Sequence, residues 1–269
     1  VAANTPYRFQ LIFPSRQNSH LSYKVLCLGN LAVTYLFTNE KNNHHPSTDF
    51  FLPMTSIYPF LTLLSENNNR PWFEENREAY EKARSEAEDL ITRCIAEIGK
   101  FEDLGDLKAR QTMFRIYRDV RFSKNKDPFK KNFSSMISRD GKRAMTGFGY
   151  YVHFEPGESF MAAGVYEPSA DQLARIRQEI DYNADDLRKV IEHPDFAAVF
   201  GAMQGSQLKT APKGYPKDHP EIDLLRYNQY YFTWKFSDGD ILKPNFPEKL
   251  AVHCRKVRPF LEFLNRALD

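Results

Sequence analysis

The chain has 269 residues, of which 42% are hydrophobic, 27% charged and 14% aromatic, and its formal net charge is +2. Those proportions exclude a disordered chain, a collagen-like repeat and a coiled-coil rod, and a fold of this length buries roughly 70–75% of its unfolded surface without staples. Three cysteines with no paired spacing exclude a disulfide framework and a cysteine-rich zinc module, which points to a reduced, cytoplasmic protein.

Residues 1–53 differ from the rest. The first methionine is Met54, and the preceding segment has no sustained period and ends in the polar tract Thr38 to Asp49. Its apolar run, Val25 to Phe37, is broken by Gly29, Asn30 and Thr34. A spanning helix needs about 20 apolar residues, so no membrane partner is expected. The expectation is a non-native or poorly ordered leader over 1–53 and one domain over 54–269.

From Met54 onward, Ile57 to Leu64 reads as a short apolar helix. Asn67, Asn68 and Asn69 then offer capping side chains before Pro71. Phe73, Tyr80, Ala87, Cys94 and Phe101 recur every seven residues, opposite Glu75, Glu78, Lys82 and Glu86, which predicts one long amphipathic helix. Met113 to Phe122 alternates as a strand does. Phe148 to Glu155 and Glu158 to Tyr166 flank Pro156-Gly157, a pair suited to the centre of a type II turn. With Glu155 opposite Glu158, one face carries Tyr150, Val152, Phe154, Met161, Ala163 and Val165 and reads as core. The other carries Gly149, Tyr151, His153, Phe160, Ala162 and Gly164, and is overlain by backbone or leaves room for a ligand.

Ser169 to Gln172 forms a capping-box pattern ahead of Leu173, Ile176 and Ile180, and Asn183 is expected to cap a following helix. A short helix near Ile222 to Leu225 and an aromatic strand, Gln229 to Phe236, come next. A final helix from Pro247 has Leu250, Cys254, Val257, Leu261, Leu264 and Leu268 on one stripe, with an interruption expected at Pro259. Runs of helices around an antiparallel sheet define an α+β protein, with helices packed on a largely antiparallel sheet.

No nucleophile elbow, phosphate loop or zinc-protease motif is present, the seven histidines are scattered, and neither a metal site nor a cofactor is identified. Charge is more informative. Residues 108–143 hold twelve basic and three acidic side chains, a net of +9 against −7 for the remainder. Such a block complements phosphate or carboxylate groups. The candidate ligand-binding set is Arg115, Arg118, Arg121, Lys124, Lys126 and Lys130, because guanidinium forks and ammonium groups suit oxyanions. His153 is the candidate acid or base, with Tyr151 and Glu155 beside it. The structural alternative is that Asp119 and its neighbours neutralise the arginines and that His153 only packs.

Asn67-Asn68-Asn69-Arg70-Pro71-Trp72-Phe73, the string Phe114 to Lys130, the strand Tyr150 to Glu155 with Pro156-Gly157, and Pro212-Lys213-Gly214-Tyr215 together resemble the DUF2461 family of conserved hypothetical proteins. The resemblance spans about Ile57 to Leu268 and implies a start near Met54. It carries over no activity. Three readings therefore follow: an enzyme or binder for a phosphorylated or other anionic small molecule, a nucleic-acid-binding protein, and a non-catalytic interaction scaffold. Oligomeric state is not legible in the sequence.

Overall fold

The computed structural model describes residues 56–139, 141 and 149–268. The expected leader lies outside the described residues, as do Asp140, Lys142 and Arg143 of the basic block and Phe148 at the head of the expected hairpin.

Helix α1 (Ile57–Glu66) presents Ile57, Phe60, Leu61 and Leu64 to the core. The sevenfold pattern that follows is split into α2 (Arg70–Glu75) and α3 (Arg77–Ile98). Asn69 accepts the Trp72 N–H at 3.0 Å and so caps α2. The split falls at Asn76, which leaves helical geometry at φ −108°, ψ 22° and whose side-chain amide donates to the Trp72 carbonyl. Phe101 lies beyond the end of α3.

After the single turn α4 (Ala109–Thr112), the expected strand Met113 to Phe122 is absent. Only isolated bridges, Met113 to Ser135 and Tyr117 to Phe129, mark that stretch. Asp119 Oδ1 accepts the Arg121 N–H, and Asn125 Oδ1 accepts the Asp127 N–H at 2.8 Å. These local bonds satisfy the backbone by turning it, and a ladder cannot continue. The ligand-binding strand expected from the sequence is thus a cationic loop.

The sheet has four antiparallel strands in the order β1 (Phe133–Ile137), β2 (Tyr150–Phe154), β3 (Phe160–Val165) and β4 (Tyr230–Lys235). The β2–β3 hairpin has the expected register, pairing Tyr150 with Ala163 and His153 with Phe160. Glu158 N–H donates to the Glu155 carbonyl at 3.0 Å, and Gly157 takes φ +76°, the backbone state its position in a type II turn requires.

Helix α5 (Ala170–Ile191) starts on the Ser169–Gln172 capping box. Asn183, expected to separate two helices, instead marks a kink inside one, at φ −132°, ψ 32°. Two elements unforeseen in the sequence follow: α6 (Pro194–Phe200), whose Phe196 packs edge-on against Phe232, and, after α7 (Ile222–Leu225), the turn α8 (Asp238–Ile241). The last helix, α9 (Phe246–Arg266), runs through Pro259 without interruption. Buried Val257, Phe260 and Leu261 on either side hold that segment to the core, against the missing N–H of the proline and the crowding of its ring on the preceding turn.

Helices α3, α5 and α9 pack together, with α9 against β3 and α3 against β1, and Tyr150, Val152, Phe154, Met161 and Val165 are buried beneath them. The opposite face of the sheet has no such layer of long helices among the described residues, and it carries the candidate site.

Candidate functional site

Side chains alternate along a strand, so Tyr151 and His153, with Glu155 two positions on, point away from the helical layer. Cross-strand pairing then builds two rows over that face. One runs Ser134, His153, Phe160, Lys235, and the next runs Met136, Tyr151, Ala162, Thr233. Rings wall the space and Ala162 leaves its floor low. The result is a cavity of about 640 Å³, lined among others by Phe114, Tyr151, His153, Phe160, Gln204 and Tyr231. This is the size range of sites for small molecules.

Gly164 at the cavity edge has a second reason to be glycine. It takes φ +132°, and a Cβ there would stand 2.1 Å from the Tyr230 carbonyl oxygen. Close approach of the β4 backbone therefore accounts for this position, so the two alternatives read from the sequence, backbone cover and room for a ligand, each hold for part of the face.

A hydrogen-bonded chain borders the cavity, with Tyr151 and His153 in its lining and Glu155 behind them. Tyr151 Oη lies 3.0 Å from His153 Nδ1, and His153 Nε2 lies 2.8 Å from Glu155 Oε2. The neutral imidazole protonated at Nε2 satisfies all three groups: the phenol donates to Nδ1, and Nε2–H donates to the carboxylate. The Phe160 ring stacks on the imidazole at 4.7 Å between centroids. Burial pushes the His153 pKa below its ordinary value against the pull of Glu155, and the Lys130 charge pushes the same way. Burial raises the Tyr151 phenol, with the Ser134 hydroxyl opposing. A neutral imidazole hydrogen-bonded to both a phenol and a carboxylate can take up a proton and pass one along the chain.

The six candidate cations divide. Lys130 is half-buried, its Nζ 5.2 Å from the Phe114 ring centroid, and burial together with Arg115 lowers its pKa. Among the described residues neither Lys130 nor Arg115 forms an ion pair with a carboxylate. Arg118 donates to the Asp127 carbonyl at 3.1 Å and to Ser123, and Lys126 donates to the Val120 carbonyl at 3.0 Å. Arg121 pairs with Asp119 at 2.6 Å, and Lys124 is exposed. The structure thus brings Lys130, with Arg115 beside it, into electrostatic reach of His153. None of the six lines the cavity: Arg118, Arg121, Lys124 and Lys126 lie on the loop, and Lys130 borders it only behind the Phe114 ring that its ammonium faces.

Lining groups missed by the sequence reading include Lys235, Gln204 and the acids Glu158 and Glu167, of which Glu158 lies 3.7 Å from the Lys235 ammonium. Lys235 reaches the face because β3 pairs it with Phe160. Gln204 is tied to β4 by backbone bonds to Tyr231, and its amide donates to Thr233 Oγ1 at 2.7 Å. Alternation within Tyr230 to Lys235 carries a signal for Lys235; nothing local signals Gln204. Among the described residues no three His, Cys, Asp or Glu side chains form a metal-binding cluster, and no helix is long and apolar enough to cross a membrane.

Together these features define a class: an α+β protein whose antiparallel sheet is covered by long helices on one face and opens a ring-lined cavity with an ionisable row on the other. Residues 56–263 match the sequence model of the family described as "Conserved hypothetical protein (DUF2461)", and the chain belongs to that family. No curated protein and no solved structure matches the chain.

Proposed function

We propose that the open sheet face binds a small ligand with a flat apolar body and an anionic group, and that Tyr151 exchanges a proton with it. The observation that carries this reading is the Tyr151–His153–Glu155 chain ending at the cavity. When Tyr151 Oη takes a proton from the ligand, the phenol's own proton passes to His153 Nδ1. The imidazolium so formed faces the Glu155 carboxylate at 2.8 Å. Run in reverse, the same chain delivers a proton to the ligand. A phenol alone is poorly matched to neutral pH, and coupling to an imidazole supplies an acceptor that is matched.

Lys130 supports the anionic part of the reading. A half-buried ammonium without an acid partner among the described residues gains most from an incoming carboxylate or phosphate, and Arg115 adds to the attraction. Phe160 and Tyr231 offer ring faces to the apolar body.

The test is a thermal-shift screen of ring-bearing carboxylates and phosphates against wild type, Lys130→Met and Tyr151→Phe. Hits should stabilise wild type and Tyr151→Phe alike and Lys130→Met weakly, and only wild type should turn a hit over. Hits that stabilise Lys130→Met as well as wild type would sink the anionic reading, and unchanged turnover in Tyr151→Phe would sink the proton transfer.

A further inference from the structure

The loop between the bridges at Tyr117 and Phe129 is not absorbed by the cavity. Phe122 is 96% exposed and Tyr117 43%, so two rings on this stretch face solvent. The Arg121 guanidinium lies 5.8 Å from the Phe122 ring centroid. Residues 115–131 carry seven basic and two acidic side chains. The two acids, Asp119 and Asp127, pair with Arg121 and Lys131, which leaves five cations uncompensated within the segment.

The way those cations are held is informative. Arg118 and Lys126 are fixed by backbone carbonyls and a hydroxyl, which are neutral acceptors. Their positions are set, while their charges remain available. The partner therefore has to be polyanionic and also to present flat apolar surface to an exposed ring.

We propose that this loop docks single-stranded nucleic acid, with phosphates on Lys124, Lys126 and Arg118 and a base stacked on Phe122. Rings interleaved with cations match a polymer in which bases alternate with phosphates. A bilayer surface calls for a contiguous apolar face below the charges, and here the exposed rings are separated in sequence by Arg118, Asp119 and Arg121. The inference is independent of the cavity reading, since Phe122, Lys124 and Lys126 do not line the cavity.

The experiment is fluorescence anisotropy of the full chain with labelled oligothymidylate and oligouridylate of about 20 nucleotides, at about 50 and about 200 mM salt. Binding should weaken steeply with salt. Lys124→Ala with Lys126→Ala should reduce the slope of log K against log salt by about 0.7 for each phosphate that is no longer neutralised. Phe122→Ala should bind roughly 5- to 10-fold more weakly, and Phe122→Trp should bind like wild type. Absence of binding at low salt, equal binding by wild type and Phe122→Ala, or binding to phosphatidylserine vesicles in place of the oligonucleotides would each overturn the proposal.

Discussion

His153 Nε2 lies 2.8 Å from Glu155 Oε2, yet the imidazole is held below its ordinary pKa of 6.5. Burial outweighs the carboxylate's attraction, and the consequence is a pH dependence with a defined sign. As pH falls through about 6.5 the unfolded chain protonates this histidine while the folded one does not. In the window between the folded and unfolded values the unfolded state holds more protons, so stability is lost on acidification. His253 is depressed by burial too, stacked on Trp234 at 3.7 Å, and adds in the same direction. The melting temperature should fall from about pH 7 to about pH 5.5, and His153→Gln or His253→Gln should each flatten the decline. A flat wild-type profile across that window would contradict the burial of both rings.

Tyr151→Phe tests the relay without ligand. Donation from the phenol to Nδ1 favours the neutral imidazole, so its removal should raise the His153 pKa toward the ordinary value, read by NMR titration. The half-buried Nδ1 loses its donor, at a cost of roughly 1–2 kcal/mol. An unchanged titration would mean that the phenol and the imidazole are not coupled.

Gly164→Ala should be among the most damaging single substitutions on the sheet. The left-handed φ of +132° strains any other residue, and the new Cβ would meet the Tyr230 carbonyl at 2.1 Å and Tyr231 Cα at 2.7 Å. Both obstacles are backbone, so β3 and β4 have to separate. A loss of about 3 kcal/mol or more is expected. Gly157→Ala, at φ +76° but with nothing within 4 Å, should cost only about 1 kcal/mol. Equal melting temperatures for the two variants would refute the assignment.

The β2–β3 face was legible in the sequence because Pro156-Gly157 pins the turn and strict alternation then sorts every side chain. Ser169 was legible for a similar reason, since capping chemistry is local, whereas Asn183 proved to mark a kink and not the cap of a new helix. Met113 to Phe122 misled because its alternation is that of a strand, and only the side-chain bonds of Asp119 and Asn125 reveal the turn. Composition located the positive charge but not its partners: Arg139 pairs with Asp103, and Arg118 with a carbonyl. Alternation within β4 sets the face on which Lys235 stands, but its pairing with β3, and that of Gln204 with β4, joins segments far apart in the chain, which no local pattern encodes.

Asn68 carries the largest effect that its local sequence conceals. Within Asn67 to Asn69 it reads as one more capping side chain, but it bonds to Phe129, 61 residues away. Its Nδ2 donates to the Phe129 carbonyl at 3.0 Å, and its Oδ1 accepts the Phe129 N–H at 3.1 Å. The amide thereby pairs both backbone groups of a residue that is 1% exposed. The Phe73 ring stacks on Phe129 at 4.0 Å, and Tyr117 packs against it at 5.3 Å, so the α1–α2 junction and the base of the cationic loop form one unit. Asn68→Ala strands a buried donor and a buried acceptor, at a cost of roughly 2–4 kcal/mol, or roughly 5–12 °C in melting temperature. Asn67→Ala loses only an exposed bond to the Leu63 carbonyl and should stay within about 1 kcal/mol of wild type. Because Phe129 directly precedes Lys130, Asn68→Ala should also weaken any stabilisation that anionic ligands confer. Melting curves that coincide for the Asn67 and Asn68 variants would show that the clamp contributes nothing.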